Sequence, residues 1–177
     1  MADFKKALAI TLKNEGGYVS DPQDPGGETY KGIARNMNSK WNGWATIDSM
    51  KKQSGFPRNL DNNVDLQEEV EQFYKTNYWD KVKGDDIVDQ DVAFSIFDFG
   101  VNAGIGTAAS LAQMVVGADA DGVIGQGTLS AINQFDPHHF IASFTVAKIM
   151  RYIAIVQKRP TSQKYFYGWV RRAVGVA

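Results

Sequence analysis

The 177-residue chain contains no cysteine and only two histidines. Because there is no thiol, thiol catalysis, zinc–thiolate centres and disulfide bonds are all excluded. Nineteen Lys and Arg residues against twenty Asp and Glu residues leave a formal charge of −1. A chain without a bulk positive charge offers little attraction to nucleic acid or to anionic membranes, so we expect no nucleic-acid partner.

Long apolar runs are also missing from the sequence. No run reaches the ~18 apolar residues that can span a bilayer, so we expect no stable membrane insertion. The N-terminal stretch MADFKKALAITLKNEGG interrupts its apolar pattern with charges. It therefore predicts a chain made in the cytoplasm without a Sec-type signal peptide. With 44% hydrophobic and 22% charged residues, the composition is that of an ordinary globular protein with one core or two small lobes.

Helical periodicity dominates what is present, and it predicts a mainly α fold. We predict helices at residues 3–15, 32–41, 47–52, 66–79, 91–101, 108–116, 127–134, 137–158 and 162–173. The predicted N-caps are Asp3, Asp65, Thr107 and Asp136. Two short strands, 18–20 and 28–30, are predicted to form a small β-hairpin or flap near residues 18–30. The charged stretch 80–90 is the predicted boundary between a lobe of residues 1–90 and a lobe of residues 91–177.

The stretch NEGGYVSDPQDPGGETYKGIA, residues 14–34, holds the leading candidate site. It begins where the first predicted helix ends. At ~100° per residue, Glu15 lies only ~20° from Phe4 around that helix, so its carboxyl group extends the apolar stripe. Burial of a carboxyl group favours its protonated form, which a general acid needs.

Further carboxylates follow Glu15 within a short, turn-rich segment. Glu15, Asp21, Asp24 and Thr29 together suggest glycosidic-bond hydrolysis, in which one acid protonates the leaving oxygen and a second carboxylate assists. The alternative is structural, because aspartates before prolines are common turn formers and Glu15 would then only end a helix. The spacing by itself leaves both interpretations open.

A short acidic motif later in the chain resembles part of a calcium-binding loop. It consists of Asp119, Asp121 and Gly122. In the EF-hand pattern, Gly117 would be the first ligand and Thr128 the bidentate acid, and neither can serve. The motif therefore predicts a turn, and we expect no metal.

Other polar residues also have simple structural interpretations. The two histidines, His138 and His139, diverge around a helix, so we expect surface residues and no joint metal site. Asp98 lies inside the apolar run SIFDFG, where a hydrogen bond to a helix N-terminus or to Tyr or Trp would satisfy it. Several aromatic residues are either sugar-stacking platforms or core: Trp41, Trp44, Tyr74, Tyr78 and Trp79.

Two stretches resemble a known family. EGGYVSDPQDPGGETYKGIA, residues 15–34, closely resembles the signature of the glycoside hydrolase family 108 N-acetylmuramidases, phage endolysin-like proteins also known as secretion-activator proteins. FDFGVNAG, residues 97–104, and Gln113 through DGVIGQGTLSAI, residues 121–132, are similar to that family's predicted peptidoglycan-binding region. Gln126 stands where the family commonly has proline. The resemblance implies a lysozyme-like catalytic lobe at 1–90 and a helical peptidoglycan-binding-like lobe at 91–177 packed on the first.

The resemblance also implies roles for residues of the first stretch. Glu15 falls on the family's catalytic acid. The order Glu15, Asp24, Thr29 is similar to the catalytic trio of phage-type lysozymes, and Asp21 competes with Asp24 for the second role. Asp21, Tyr18 and Tyr30 are the candidate substrate-binding residues.

The sequence and the resemblance together predict an N-acetylmuramidase that cleaves the β-1,4 bond between N-acetylmuramic acid and N-acetylglucosamine. Its partners would be peptidoglycan glycan strands, and no cofactor is expected. The missing signal peptide and the resemblance together imply a holin-like export partner and action at the cell wall or periplasm after export. The rival interpretations are a peptidoglycan-binding or secretion-associated module without catalysis, and a lytic transglycosylase.

Overall fold

The computed structural model describes residues 1–21 and 25–175. This part of the chain forms eight α-helices and one antiparallel sheet of three strands, which confirms the mainly α fold. The helices are α1 Phe4–Glu15, α2 Gly43–Met50, α3 Val64–Tyr74, α4 Gln90–Ala103, α5 Ile105–Val116, α6 Gln126–Gln134, α7 Pro137–Lys158 and α8 Gln163–Ala173. The strands are β1 Tyr18–Ser20, β2 Glu28–Tyr30 and β3 Ile33–Ala34.

Two compact units divide the chain. The N-terminal unit is Phe4–Asp80, and the C-terminal unit consists of Met1–Asp3 together with the chain from Lys81 onward. Helix α4 lies wholly in the C-terminal unit. The division between residues 90 and 91 that the sequence favours stays a prediction.

Helix α1 has the buried face that its periodicity predicts. Ala7, Leu8 and Thr11 are buried, whereas Ile10 points outward. Glu15, the last residue of α1, is half-buried at the end of the same stripe. The apolar residues of α1 therefore fix the direction in which the acidic side chain leaves the helix.

The sheet confirms the predicted hairpin and corrects the prediction that follows it. Strand β2 pairs with β1 and also with β3, in the order β1-β2-β3. The helix predicted at 32–41 is wrong, because Ile33 and Ala34 form β3. The two-residue loop before it, Lys31-Gly32, has φ values of +45° and +79°. Positive φ at both loop positions suits a tight hairpin and cannot begin a right-handed helix.

Helix α3 begins earlier than its sequence pattern suggests. Asn63 is the N-cap, and its Oδ1 accepts a hydrogen bond from the Leu66 N–H at 2.8 Å. The prediction that Asp65 caps this helix is wrong, because Asp65 already lies in the first turn. Beyond Tyr74 the chain continues into a π-helical turn, Lys75–Trp79. This turn places Tyr78 beside Tyr74, with ring centroids 5.5 Å apart.

The C-terminal unit shows one wrong and one correct N-cap prediction. Helix α5 begins directly after Gly104, whose φ of +90° breaks the chain direction at the end of α4. Thr107 therefore lies within the first turn of α5 and does not cap it. Asp136 does cap α7, because its Oδ1 accepts a hydrogen bond from the His139 N–H at 2.8 Å.

Among the described helices, α7 is long and apolar enough to cross a membrane by length and composition. A count of uninterrupted apolar residues missed it because polar residues such as Lys148 and Arg151 break the run. The core helix of a globular protein passes the same test, and α7 buries Phe140, Phe144 and Tyr152 in the C-terminal unit.

A cation lies in the core of the C-terminal unit. Lys148 is 7% exposed, and its Nζ donates a hydrogen bond to Ser95 Oγ at 2.9 Å. The same Nζ lies 4.8 Å from the centre of the Phe144 ring. Burial lowers the pKa of Lys148 to about 8. Nearby, Asp98 pairs with Arg172 through two hydrogen bonds of 2.8 and 3.1 Å, so its partner is an arginine.

Candidate functional site

The carboxyl group of Glu15 is packed against the loop between β2 and β3. A Cβ placed on Gly32 would lie 2.8 Å from Glu15 Oε2 and 2.7 Å from the Tyr74 hydroxyl oxygen. The Tyr74 hydroxyl in turn donates a hydrogen bond to the Lys31 carbonyl at 2.7 Å. Only glycine fits this position, because any side chain would displace the acid or the tyrosine.

A second tyrosine, Tyr78, lies close enough to Glu15 to feel its charge. Burial and the negative charge of Glu15 raise the pKa of Tyr78. The Tyr78 ring is stacked on the Tyr74 ring. Glu15 therefore lies between the β2–β3 loop and aromatic side chains of α3 and the turn that extends it. This arrangement places a half-buried carboxyl group beside two stacked tyrosine rings.

The alternation of β2 separates its side chains onto two faces of the sheet. Glu28 and Tyr30 point to one face, and Thr29 points to the other. Tyr18, which is paired with Tyr30 in β1, shares their face, and its hydroxyl donates to Glu28 Oε1 at 2.6 Å. The Tyr18 ring also packs edge-on against Phe56. Thr29 is half-buried. Because side chains alternate along β2, it lies on the face opposite Tyr18 and Tyr30.

Glu28 is a charged residue of the flap whose role the sequence did not reveal. Its side chain is 11% exposed, and its two oxygens lie 2.6 Å from Arg35 Nε and 2.6 Å from Lys51 Nζ. Arg35 also forms two hydrogen bonds with Asp48, of 2.7 and 3.0 Å. Burial alone would raise the pKa of Glu28, but Lys51, Tyr18 and Arg35 together hold it below its usual value. Glu28 is therefore ionised and ties the sheet to α2.

Tyr30 ties the sheet to α3. It is 1% exposed, its hydroxyl donates to Asp61 at 3.1 Å, and it accepts from the Gln67 amide at 3.1 Å. Burial raises its pKa to about 12. Lys31 reinforces this link through Gln67 at 2.6 Å and Asp61 at 3.3 Å. A contact between Tyr30 and a ligand would require this packing to open, and its assignment to substrate binding stays a prediction.

The structure describes one of the two candidates for the second carboxylate. Asp21 directly follows β1 and is exposed. Asp24 lies outside the described residues. The choice between Asp21 and Asp24 therefore stays as open as the sequence leaves it.

The candidate stacking aromatics fall into two groups. Trp44, Tyr74 and Trp79 are buried in the core of the N-terminal unit. Trp41 and Tyr78 are half-buried and so keep part of their ring surfaces accessible.

The acidic motif of the C-terminal unit is a hydrogen-bonded turn. Asp121 Oδ1 accepts from Gln113 Nε2 at 2.7 Å and from the Val123 N–H at 2.9 Å. These bonds lower the pKa of Asp121. Gln113 Nε2 also donates to the Val123 carbonyl and to Thr128 Oγ1, and Gln113 Oε1 accepts from the Gly122 N–H. The predicted turn is confirmed, and the Asp121 carboxylate is engaged by protein donors.

Comparison with known proteins extends over both units. The family model described as Glycosyl hydrolase 108 matches residues 8–104, and the model described as Predicted Peptidoglycan domain matches residues 107–174. The solved structure titled "Structure of Brucella abortus SagA" is 31% identical, with a TM-score of 0.69, over 98% of this chain and 90% of that chain. A search of curated proteins finds no match.

These matches agree with the site and with the order of the two resemblances in the sequence. The first match includes Glu15 and the whole β-sheet, and the second includes the turn held by Gln113. The mainly α fold with its small sheet is lysozyme-like. The chain belongs to the glycosyl hydrolase 108 family and carries a peptidoglycan domain, so its function is related to peptidoglycan.

Proposed function

We propose that the protein is an N-acetylmuramidase that hydrolyses the β-1,4 bond between N-acetylmuramic acid and N-acetylglucosamine. The observation that carries this proposal is the placement of Glu15. Its carboxyl group ends the buried stripe of α1 and is packed against Gly32 and the Tyr74 hydroxyl. This acid lies within the segment that matches a glycosyl hydrolase family.

Glu15 would act as the general acid that protonates the leaving glycosidic oxygen. The close fit of Gly32 restricts the positions open to its carboxyl group. A second carboxylate would stabilise the oxocarbenium-like centre or activate a water. We assign this role to Asp24, with Asp21 as the alternative, and we assign to Thr29 the positioning of the water.

The proposal is tested by replacing Glu15 with glutamine, which keeps the shape of the side chain and removes its acidity. Glu15→Gln should abolish the release of new reducing ends from purified peptidoglycan while the fold is retained. The matched control is Glu68→Gln, because Glu68 is an exposed carboxylate of α3. Unchanged activity of Glu15→Gln would exclude the assignment. Asp21→Asn and Asp24→Asn, assayed in the same way, identify the second group by the larger loss.

Mass spectrometry of the released muropeptides separates the competing functions. A muramidase leaves products with reducing ends, whereas a lytic transglycosylase leaves anhydromuramic products. A module that only binds cell walls releases neither product, although it sediments with them. The proposal requires reducing-end products from the wild-type protein and none from Glu15→Gln.

We also propose that the protein acts at the cell wall or in the periplasm, because peptidoglycan lies there. Fractionation of expressing cells tests this, and we expect the protein to co-sediment with the wall fraction. Retention of all the protein and all its activity in the cytoplasmic fraction would contradict the proposal.

A further inference from the structure

The N-terminal unit has an open groove that the Glu15 site does not use. The groove has a volume of about 460 Å³. One wall is the loop 37–42, and the other is the side of α3 and its π-helical extension that carries Glu69, Gln72, Phe73 and Asn77. We call it the Trp41 groove, after the largest side chain in the loop.

The Trp41 groove lies on a different side of α3 from Glu15. Consecutive helical residues project ~100° apart, so Phe73 leaves the helix in a different direction from Tyr74. Tyr74 faces Gly32 and Glu15, whereas Phe73 lines the groove. Phe73 packs edge-on against Tyr74, with ring centroids 5.6 Å apart, so these two side chains would lie between a ligand in the Trp41 groove and Glu15.

The indole ring of Trp41 is held in place from several directions. A Cβ placed on Gly43 would overlap this ring, so the glycine makes room for it over the start of α2. The ring packs edge-on against Trp44 and Phe73, with centroid distances of 5.1 and 6.1 Å. Its Nε1 donates a hydrogen bond to the Glu69 carbonyl at 3.3 Å. A fixed, half-buried ring offers a flat apolar surface at little entropic cost on binding.

Amide side chains surround this aromatic surface in fixed orientations. The Asn77 amide donates to the Phe73 carbonyl at 2.9 Å, and the Gln72 amide donates to Thr76 Oγ1 at 2.7 Å. The Asn38 amide donates to the Ala34 carbonyl at 3.1 Å. Each bond uses one of the two N–H groups of an amide that also has a carbonyl oxygen. The groove therefore combines oriented donors and acceptors with an apolar platform.

The charge of the groove favours a neutral ligand. Its charged lining residues are Lys40 and Glu69, one of each sign. A polyanion or a polycation would gain little from such a pair. A pyranose ring has the matching properties, because its C–H faces are apolar and its hydroxyl and acetamide groups are polar and uncharged.

We propose that the Trp41 groove is a saccharide subsite that binds an N-acetyl sugar of a peptidoglycan glycan strand away from the scissile bond. This proposal rests on the glycan substrate of the proposed function. The C–H face of the sugar would pack on the Trp41 indole, and its hydroxyl and acetamide groups would bond to Gln72 and Asn77. Binding there would hold a long strand on the enzyme while Glu15 acts on another part of it.

The test is titration calorimetry of the full chain with soluble, peptide-free glycan strands. All variants carry Glu15→Gln, so that the ligand stays intact during the titration. Trp41→Ala should raise the Kd about tenfold, and Gln72→Ala and Asn77→Ala should each raise it about threefold. Trp41→Phe keeps a flat ring and should retain most of the affinity. The matched control is Val64→Ala, which removes an apolar side chain that is 69% exposed at the start of α3 and does not line the groove.

Circular dichroism and the thermal midpoint of each variant separate lost binding from lost folding. If Trp41→Ala unfolds, Gln72→Ala and Asn77→Ala still decide the question, because both side chains are exposed. An NMR measurement on the protein with the unsubstituted groove provides a further test. The resonance of the Trp41 indole N–H should shift when glycan is added. Unchanged Kd in all three alanine variants would overturn the proposal.

Two further outcomes bear on the identity of the ligand and on the proposed function. If the alanine variants weaken binding of free stem peptide and leave binding of peptide-free glycan unchanged, the groove is a peptide site and the proposal is wrong. If Glu15→Gln still cleaves glycan, mass spectrometry of the titrated sample reveals the products. In that case the catalytic assignment fails, whereas weaker strand binding by the Trp41→Ala protein would still support the subsite.

Discussion

The two units of the protein use charged side chains in opposite ways. In the N-terminal unit, a nearly buried carboxylate, Glu28, has two cationic partners and joins the sheet to α2. In the C-terminal unit, Lys148 is buried among aromatic rings, and in the described part of the chain its hydrogen-bond partner is the neutral Ser95. The first arrangement positions a flap beside a candidate acid. The second places a cation where burial disfavours its charge.

We expect the largest effect in the N-terminal unit from Gly32→Ala, which disrupts the packing around Glu15. The added methyl group would overlap both Glu15 and Tyr74, and alanine disfavours the φ of +79° at this position. We expect peptidoglycan hydrolysis to fall by about a hundredfold, since misplacing a catalytic group by about 1 Å has an effect of that order. The assay is release of reducing ends, with thermal unfolding measured in parallel.

Gly17→Ala is the matched control for Gly32→Ala. Gly17 directly precedes β1 of the same sheet, but a Cβ there meets no atom within 4 Å, and its φ is not positive. Its activity should be close to that of the wild type. Equal activity of the two alanine variants would show that the packing of Gly32 on Glu15 has no catalytic role.

The ion pairs of Glu28 are tested by Glu28→Gln. This change removes the ion pairs of Glu28, whereas Arg35 and Lys51 both keep Asp48 as a carboxylate partner. We expect the free energy of unfolding to fall by about 2 kcal/mol. Because the folded state lowers the pKa of Glu28, its contribution is present above pH 4.5 and is lost as the pH falls through the folded-state pKa. Urea unfolding at pH 7 and pH 3 should show a smaller difference between variant and wild type at pH 3.

Glu68→Gln again provides the comparison, because Glu68 is exposed. It should leave the free energy of unfolding within about 0.5 kcal/mol of the wild type. If Glu28→Gln lowers the free energy of unfolding equally at both pH values, the loss comes from packing and the charge of Glu28 makes no contribution.

The smallest expected effect on stability concerns Lys148, whose replacement should stabilise the protein. Since the pKa of Lys148 falls from 10.5 to about 8 on folding, the unfolded chain binds more protons between these values. The C-terminal unit should therefore gain stability as the pH rises from 8 to 10.5. Lys148→Met removes the buried charge, and we expect it to stabilise the protein at pH 7 by about 1–2 kcal/mol.

Urea unfolding of the wild type, Lys148→Met and Lys158→Met at pH 7 and pH 9.5 measures this effect. Lys158 ends α7 and is exposed, so its replacement should preserve the pH dependence of the wild type. Lys148→Met should lose that dependence. A destabilised Lys148→Met protein at pH 7 would mean that its hydrogen bond to Ser95 and its ring contacts outweigh the burial of charge.

Periodicity predicted the parts of the molecule that depend on a single helix or hairpin. It placed Glu15 on the buried face of α1 and found strands β1 and β2, because spacing of three to four residues or alternation determines which side is buried. The error at residues 32–41 has a local cause. Lys31-Gly32 forms a tight loop with positive φ, and a sequence pattern does not show that Ile33 then pairs with β2.

Long-range contacts were beyond the reach of the sequence pattern. Glu28 appeared only as a strand residue, since its partners lie 7 and 23 residues away in other parts of the fold. The Trp41 groove likewise depends on α3 packing against a loop about 30 residues earlier in the chain. Nothing in the spacing of Trp41 or Phe73 distinguishes a groove wall from a core residue.

The side chain of Gln113 links two helices of the peptidoglycan domain. Gln113 joins α5 to the turn at Asp121–Val123 and to Thr128 in α6 through four hydrogen bonds of a single amide group. Loss of that side chain would remove all four hydrogen bonds together. We therefore expect the connection between α5 and α6 to open as one cooperative unit rather than by gradual fraying.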